Sequence, residues 1–412
     1  MKILHTADWH LGIHLYNESL EEDHRLFISW LLNTCIPEHK PDALLIAGDI
    51  FDKANPPTYA RQQYYQFLAQ LIPLGIKKII ITAGNHDSAA MLEAPKEILQ
   101  YLNIHVVGHA PTETENLLIP ISINDENEPT VVVAAVPFLK DQDIRTPGID
   151  ATTESVEQAV KNGIKTYYQQ VALASEEYHE KGIPVIAMGH LFASGVSVSD
   201  SERQIQVGNL GSIDAHCFPI EHFAYVALGH IHLPQNVQGS NHIWYSGSPI
   251  ALSFSERRKQ QKIVRLLTID GKEIKSEAIK IPVFRELKRV EGDFISVKNE
   301  INHLTNDKLL PLLIDIVIIE EDYNPAIGRD ISAFIDQVAM EKKEDLRIAN
   351  YRYAFKNSLA SLSSLTDVLT LADIKPTEVF QNILQSNTLI TEDKEACLTV
   401  FNLIMEEVQT EN

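Results

Sequence analysis

Apolar and polar positions along the chain follow two rhythms. From Met1 to about Lys280, short β-type runs are separated by stretches with helical spacing, the pattern of a layered α/β fold. The runs from Lys2 to Thr6, Ala43 to Ala47, Lys78 to Thr82, Thr130 to Val136, Val185 to Met188, Ala224 to Leu228 and His242 to Ser246 predict strands. Between them Phe27, Trp30 and Leu31 share a helical face, as do Ala60, Tyr64, Phe67 and Leu71. A longer helix is expected on Val156, Val160, Ile164, Tyr167, Val171, Ala174 and Tyr178, with Gly182 as its stop.

The rhythm changes near Pro282. A strand from Phe284 to Val290, a helix from Phe294 to Leu304, a strand from Leu312 to Ile319, a helix with Ile327, Ile331, Ile335 and Val338 on one side, and a strand from Leu346 to Tyr353 form a β-α-β-α-β unit. After Lys356 the chain turns rich in Ser, Leu and Thr and then offers two helices. Pro376 and Thr377 open one, Thr391 caps the other, and Leu398, Phe401, Met405 and Val408 share its stripe. Such a pair is too small to hide its apolar faces alone, so it should pack on this chain or on a partner. The expected domains are residues 1–280, 281–355 and 356–412.

Composition alters this picture little. At 412 residues two or three domains are expected, and 44% hydrophobic with 22% charged residues is a globular balance. Cys35, Cys217 and Cys397 have no C-x-x-C spacing, which points to a reducing, cytoplasmic setting without a disulfide framework. The first residues lack the apolar core of a signal peptide, and the apolar runs fall short of the roughly 20 residues of a membrane span. The formal net charge of -21 opposes phosphate binding, unless bound cations, a basic partner or well-placed basic clusters offset it.

The chemistry lies just beyond the predicted strand ends. Asp8 and His10 follow the first strand, Asp49 the second, and Asn85 and His86 the third; His190, His230 and His232 follow later ones. Carboxyl ends of strands in an α/β fold converge on one rim, so these distant residues can gather there. Two carboxylates, an amide and four imidazoles suit two divalent cations as N and O ligands, with Asp49 as the bridge. Asp8, His10, Asp49 and His232 would hold one ion, and Asp49, Asn85, His190 and His230 the other. Such a pair activates a water and neutralises a phosphodiester, while His86 protonates the leaving oxygen and Asp87 orients its imidazole. Asp49 or Asn85 alone would read as a turn former. His24, His39, His179 and His222 are expected on the surface, and His5 to pack within a strand.

The order D-x-H, GD, GNHD, GH and GHxH resembles the calcineurin-like metallophosphoesterase superfamily. A finer resemblance, to the SbcD-type nuclease subunits, rests on Ile3 to Gly12, Ala47 to Arg61, Ala83 to Ser88, Ala227 to His232 and YSGSPIALSFSE (Tyr245 to Glu256). It implies a four-layer β-sandwich flanked by helices, a small α+β capping domain and a C-terminal helical segment. It further implies Mn2+ as the usual metal, ATP-regulated exonuclease and hairpin endonuclease action on DNA in repair, recombination and replication, and a homodimer. The partner would be the SMC-like ATPase SbcC, in a heterotetramer with two nuclease subunits. Where some relatives carry a second histidine after the GD motif this chain has Asp52, expected to orient His86 or a neighbouring ligand. No G-x-x-x-x-G-K-[ST] loop is present, so ATP use would come from elsewhere. Two rival readings are a phosphatase or small-nucleotide phosphodiesterase, which suits the acidic surface, and a non-catalytic scaffold that has lost its metals.

Overall fold

The computed structural model describes residues 1–123, 128–144, 153–199, 202, 213–256, 261–321, 327–355 and 401. The helices expected after residue 376, and all of the segment 356–412 except Phe401, lie outside the described residues.

Every strand expected before residue 280 forms, and together with others they build two six-stranded sheets. The first has the order Glu273–Lys280, Ile263–Asp270, Lys2–Thr6, Ala43–Ala47, Lys78–Thr82, Ile104–Val107. Its last four strands run parallel, whereas Ile263–Asp270 is antiparallel to both of its neighbours. The second has the order Gln235–Asn236, Ile243–Tyr245, Phe223–Gly229, Val185–His190, Val131–Ala134, Leu118–Ile121, parallel through its middle and antiparallel at both edges.

Why these segments read as continuous apolar runs follows from what covers them. In Ala43–Ala47 the odd positions Ala43, Leu45 and Ala47 join a core with Ile186, Met188 and Tyr225 of the second sheet, while Leu44 and Ile46 join Phe27, Tyr64 and Phe67 of the helical layer. The same parity rules Val185–His190: Ile186 and Met188 face the sandwich interior, whereas Val185 and Ala187 pack with Tyr168 and Val171. A strand buried on both faces loses the apolar-polar alternation that a half-exposed one shows. The result is helices, sheet, sheet, helices.

Five of the twelve strands escaped the sequence pattern, two of them for recognisable reasons. Glu273–Lys280 exposes or half-exposes every residue and is held by eight register pairs to Ile263–Asp270, so main-chain hydrogen bonds rather than apolar burial define it. Leu118–Ile121 contains Pro120, tolerable because the strand lies at an edge.

The helices follow their apolar faces. Ala60, Tyr64, Phe67 and Leu71 are buried on Thr58–Leu71. The long helix, Thr153–Ala174, breaks earlier than Gly182, at Ser175, whose hydroxyl donates to the Ala172 carbonyl; a second helix, Glu176–Glu180, then carries Tyr178. No described helix is long and apolar enough to cross a membrane.

The chain divides into two compact units, residues 1–289 with 305–315 and 338–350, and residues 290–304 with 316–337 and 351–412. A three-stranded sheet has the order Leu287–Gly292, Leu312–Glu320, Leu346–Phe355. Phe294–His303 starts at Asp293, whose carboxylate accepts from Ser296 N at 2.9 Å. Ile327–Glu341 buries Ile327, Ile331, Phe334 and Val338, with Ile335 only half-buried.

Candidate metal centre

The loop after Lys2–Thr6 is built around Trp9. Its ring is fully buried against Phe27 and Phe67, at centroid distances of 5.1 and 4.8 Å, and its Nε1 donates to Thr6 Oγ1 at 3.1 Å. With Trp9 anchored in the helical layer, Asp8 and His10 on either side are turned the other way. Both adopt left-handed backbone, φ +55° and +49°, and the loop is tied to the next one by Asp8 N to Gly48 O at 3.1 Å and His10 N to Asp49 O at 3.0 Å. Asp49 at φ +49° and His230 at φ +97° share this rare conformation. Each such residue costs about 1 to 3 kcal/mol, so surrounding contacts must enforce it.

The third loop is clamped by Asp87. Its carboxylate accepts from Ile50 N at 3.1 Å, Phe51 N at 2.9 Å and Gly84 N at 2.9 Å, which joins the loops after Ala43–Ala47 and Lys78–Thr82. A Cβ on Gly84 would fall 2.1 Å from Asp49 Oδ1, so only glycine lets these loops approach. The His86 imidazole is oriented through Nδ1, 2.8 Å from the Asp52 carbonyl. Asp52 also serves a neighbouring ligand, its carboxylate standing 3.7 Å from His10 Nδ1.

The second sheet contributes from across the sandwich. His190 closes the strand Val185–His190, with Nδ1 3.1 Å from the Ala47 carbonyl and Nε2 2.9 Å from Asn85 Oδ1. His230 N donates to Asp8 Oδ1 at 2.7 Å, and His232 Nε2 meets His10 Nε2 at 3.1 Å. A single oxygen joins the halves: Asp49 Oδ2 lies 3.4 Å from His10 Nε2 and 3.3 Å from His190 Nε2, while Oδ1 accepts from His86 N at 2.9 Å.

All seven expected ligands and His86 thus meet at one rim. Among the described residues, three groups place ligand atoms within 4.8 Å of one another: Asp8, His10 and His232; His10, Asp49 and His86; Asp49, His190 and His230. Two imidazole nitrogens 3.1 Å apart match the roughly 3 Å separation of ligands at bonds of about 2.1 Å. Asp8 Oδ2 is buried without a hydrogen-bond partner among the described residues, as a carboxylate oxygen reserved for a cation would be. The donor set is that of a divalent metal site.

The electrostatics agree. Burial pushes the Asp8 carboxyl up to about 7, with the Asp49 charge adding to it. Burial opposes a charge on His190, but the carboxylates of Asp49 and Asp8 outweigh it and raise this imidazole to about 9. His230 and His232 are held well below the usual imidazole range by burial, and then by His190 and His10 respectively. Neutral imidazoles beside crowded carboxylates are ready to ligate.

Two features lay outside the sequence reading. Glu202 accepts from His232 N at 2.9 Å, and nothing in its surroundings, Asp200 to Gln204, marks it. His24, expected at the surface, is fully buried with Nε2 on the Trp9 carbonyl, and burial lowers it to about 4. A lone histidine on an amphipathic helix carries no sign of the loop it will meet.

Comparison with known proteins adds to this geometry. The calcineurin-like phosphoesterase family matches residues 1–234, and the type 5 capsule protein repressor C-terminal domain matches residues 283–388. The chain is 36% identical over 390 residues to the SbcD subunit of nuclease SbcCD from Escherichia coli K12, covering 93% of this chain and 92% of the relative. It is 37% identical to the protein of that name from Rhodobacter capsulatus, covering 62% of this chain and 64% of the relative. The Bacillus subtilis protein of the same name is 33% identical, covering 62% and 63%.

Proposed function

The chain belongs to the calcineurin-like phosphoesterases and, within them, to the SbcD nuclease subunits of SbcCD, and from that premise we propose a two-metal DNA nuclease with exonuclease and hairpin endonuclease action. The observation that carries the two-metal reading is the position of Asp49 Oδ2, 3.4 Å from His10 Nε2 and 3.3 Å from His190 Nε2. Asp8, His10, Asp49 and His232 would hold one ion and Asp49, Asn85, His190 and His230 the second; the metal proposed is Mn2+, as the family resemblance implies. When bound, such cations would lower the pKa of a coordinated water and offset the charge of the phosphodiester.

The chain's own residues complete the reaction. His86 carries its Nδ1 proton toward the Asp52 carbonyl, which leaves Nε2 to hold and deliver a proton to the leaving oxygen. Asp87 acts through the backbone by holding the loops of Asp49 and His86 together. Asn85, whose Oδ1 lies 2.9 Å from His190 Nε2, would share the second ion with that imidazole and help to position the phosphate through it. The seven ligands are buried or, for Asn85, half-buried, which excludes bulk water and strengthens each charge interaction.

The net charge of -21 repels DNA at a distance, so capture rests on local cations and on a partner. In this reading residues 1–280 form the nuclease domain, 281–355 the cap, and 356–412 the surface for an SMC-like ATPase that gates cutting with ATP, in a cytoplasmic assembly of two nuclease subunits. The test measures Mn2+-dependent cleavage of a DNA hairpin with and without the ATPase, using the full chain and a chain lacking residues 377–412. Loss of co-purification with retained cutting of simple ends is expected. A truncated chain that still co-purifies overturns the partner assignment, and absence of cutting with Mn2+ overturns the nuclease.

A further inference from the structure

The segment Tyr245 to Glu256 is one of the stretches that carry the family resemblance outside the metal set, yet it supplies none of the proposed ligands. It is directed at the main chain of one. Gly247 has φ +76°, and a Cβ there would lie 2.8 Å from the His232 carbonyl oxygen, so the segment passes closer to the loop than any side chain allows. Ser248 N donates to that same oxygen at 3.1 Å. Lys262 Nζ donates to it at 3.0 Å, to Ser248 Oγ at 2.7 Å, and to the Glu256 carboxylate. Ser248 Oγ passes the chain on to the Ile250 carbonyl at 2.8 Å, and Glu256 also accepts from Leu252 N at 3.2 Å.

All three ammonium protons of Lys262 therefore have an acceptor, and both members of the ion pair are buried, at 8% and 3% exposure. Fold stability is a weak reason to bury such a pair, because apolar residues of similar volume commonly do as well or better. What an apolar pair cannot do is donate to the His232 carbonyl. That carbonyl belongs to the loop in which His230 is held at φ +97°, a conformation that persists only where its surroundings over-determine it.

We propose that Lys262, with Glu256 and Ser248, is a positioning residue of the metal centre: it fixes the backbone of the loop from His230 to His232 so that both imidazoles meet the ligands of the first sheet. The proposal rests on the metal-centre reading above. Supporting groups of this kind typically change metal affinity by about 10- to 100-fold.

The test titrates Mn2+ calorimetrically into the metal-free full chain, with melting temperature measured beside it. K262M is expected to weaken Mn2+ binding at least about 10-fold. The double variant K262M/E256L removes the buried carboxylate together with the ammonium and is expected to recover the melting temperature but not the Mn2+ affinity. S248A, which deletes one hydroxyl, gives a smaller loss in the same direction without touching the charges. Wild-type Mn2+ affinity in either K262M/E256L or S248A overturns the proposal and leaves the pair as a stabiliser of the fold. A wild-type chain that binds no Mn2+ overturns the metal-centre reading instead.

Discussion

The two sheets meet the metal centre with different chemistry. The loops of the first bring Asp8, His10, Asp49, Asn85 and His86, which include every carboxylate and the amide of the proposed ligand set; the second brings only imidazoles, His190, His230 and His232. Their supports differ too. The loop of Asp8 and His10 is backed by neutral, buried His24 on the Trp9 carbonyl, whereas the loop of His230 and His232 is backed by the charged pair of Lys262 and Glu256. The lesson is a division of labour: one sheet concentrates negative charge, and the other presents imidazoles on a rigid frame, with His230 and His232 held neutral by burial. His190 shows the coupling, since the carboxylates opposite raise it to about 9 and a proton there balances them in the metal-free chain.

Asp49 is the residue whose loss should cost most, because it serves both ions. D49N on the first sheet should lose both Mn2+ ions and several orders of magnitude of DNA cleavage, because the bridging oxygen serves both halves, while H190A on the second sheet should lose one ion. Calorimetric stoichiometry decides; D49N still binding two ions ends the bridging role.

Next in size is H86A. Cleavage of a DNA hairpin should fall by roughly 10^2 to 10^4, the usual worth of a positioned proton donor, with two Mn2+ still bound. Should the stoichiometry fall to one, His86 belongs with His10 and Asp49 as a ligand, as their grouping within 4.8 Å permits.

The smallest effect sharpens the contrast between supports. Burial holds His24 down to about 4 from an ordinary 6.5, so the fold favours its neutral form. Its contribution is complete above about pH 6.5 and is lost as pH falls toward 4, amounting to about 3 kcal/mol for a shift of this size. H24Q keeps a donor for the Trp9 carbonyl and should flatten the stability curve between those pH values in chemical denaturation. An unchanged curve would mean that another group governs acid lability; His5, lowered by burial to about 3, has the same sign.

Much of the site was legible because metal ligation demands particular atoms at strand ends, and Asp8, His10, Asp49, Asn85, His190, His230 and His232 carry that demand on their face. Most of their supports were not. Asp52 was marked by its place after the GD motif, but Glu202, Glu256 and Lys262 are ordinary charged residues in sequence and become distinctive only through what they touch. The same holds in the fold: Ala43–Ala47 and Val185–His190, buried on both faces, announce themselves as apolar runs, while Glu273–Lys280 exists because its neighbour offers eight register pairs.

The order of residues was enough to mark seven of the twelve strands of the two sheets, with ends displaced by at most about two residues, and the nitrogen and oxygen donors that close or follow them. The tertiary structure alone decided that Asp49 turns Oδ2 toward both halves, that Asp87 clamps backbone, and that Lys262 reaches the His232 carbonyl. The physical reason is range. Burial periodicity and ligand chemistry are written residue by residue, whereas hydrogen bonds across 30 to 37 positions depend on how two loops happen to approach once the sheets have packed.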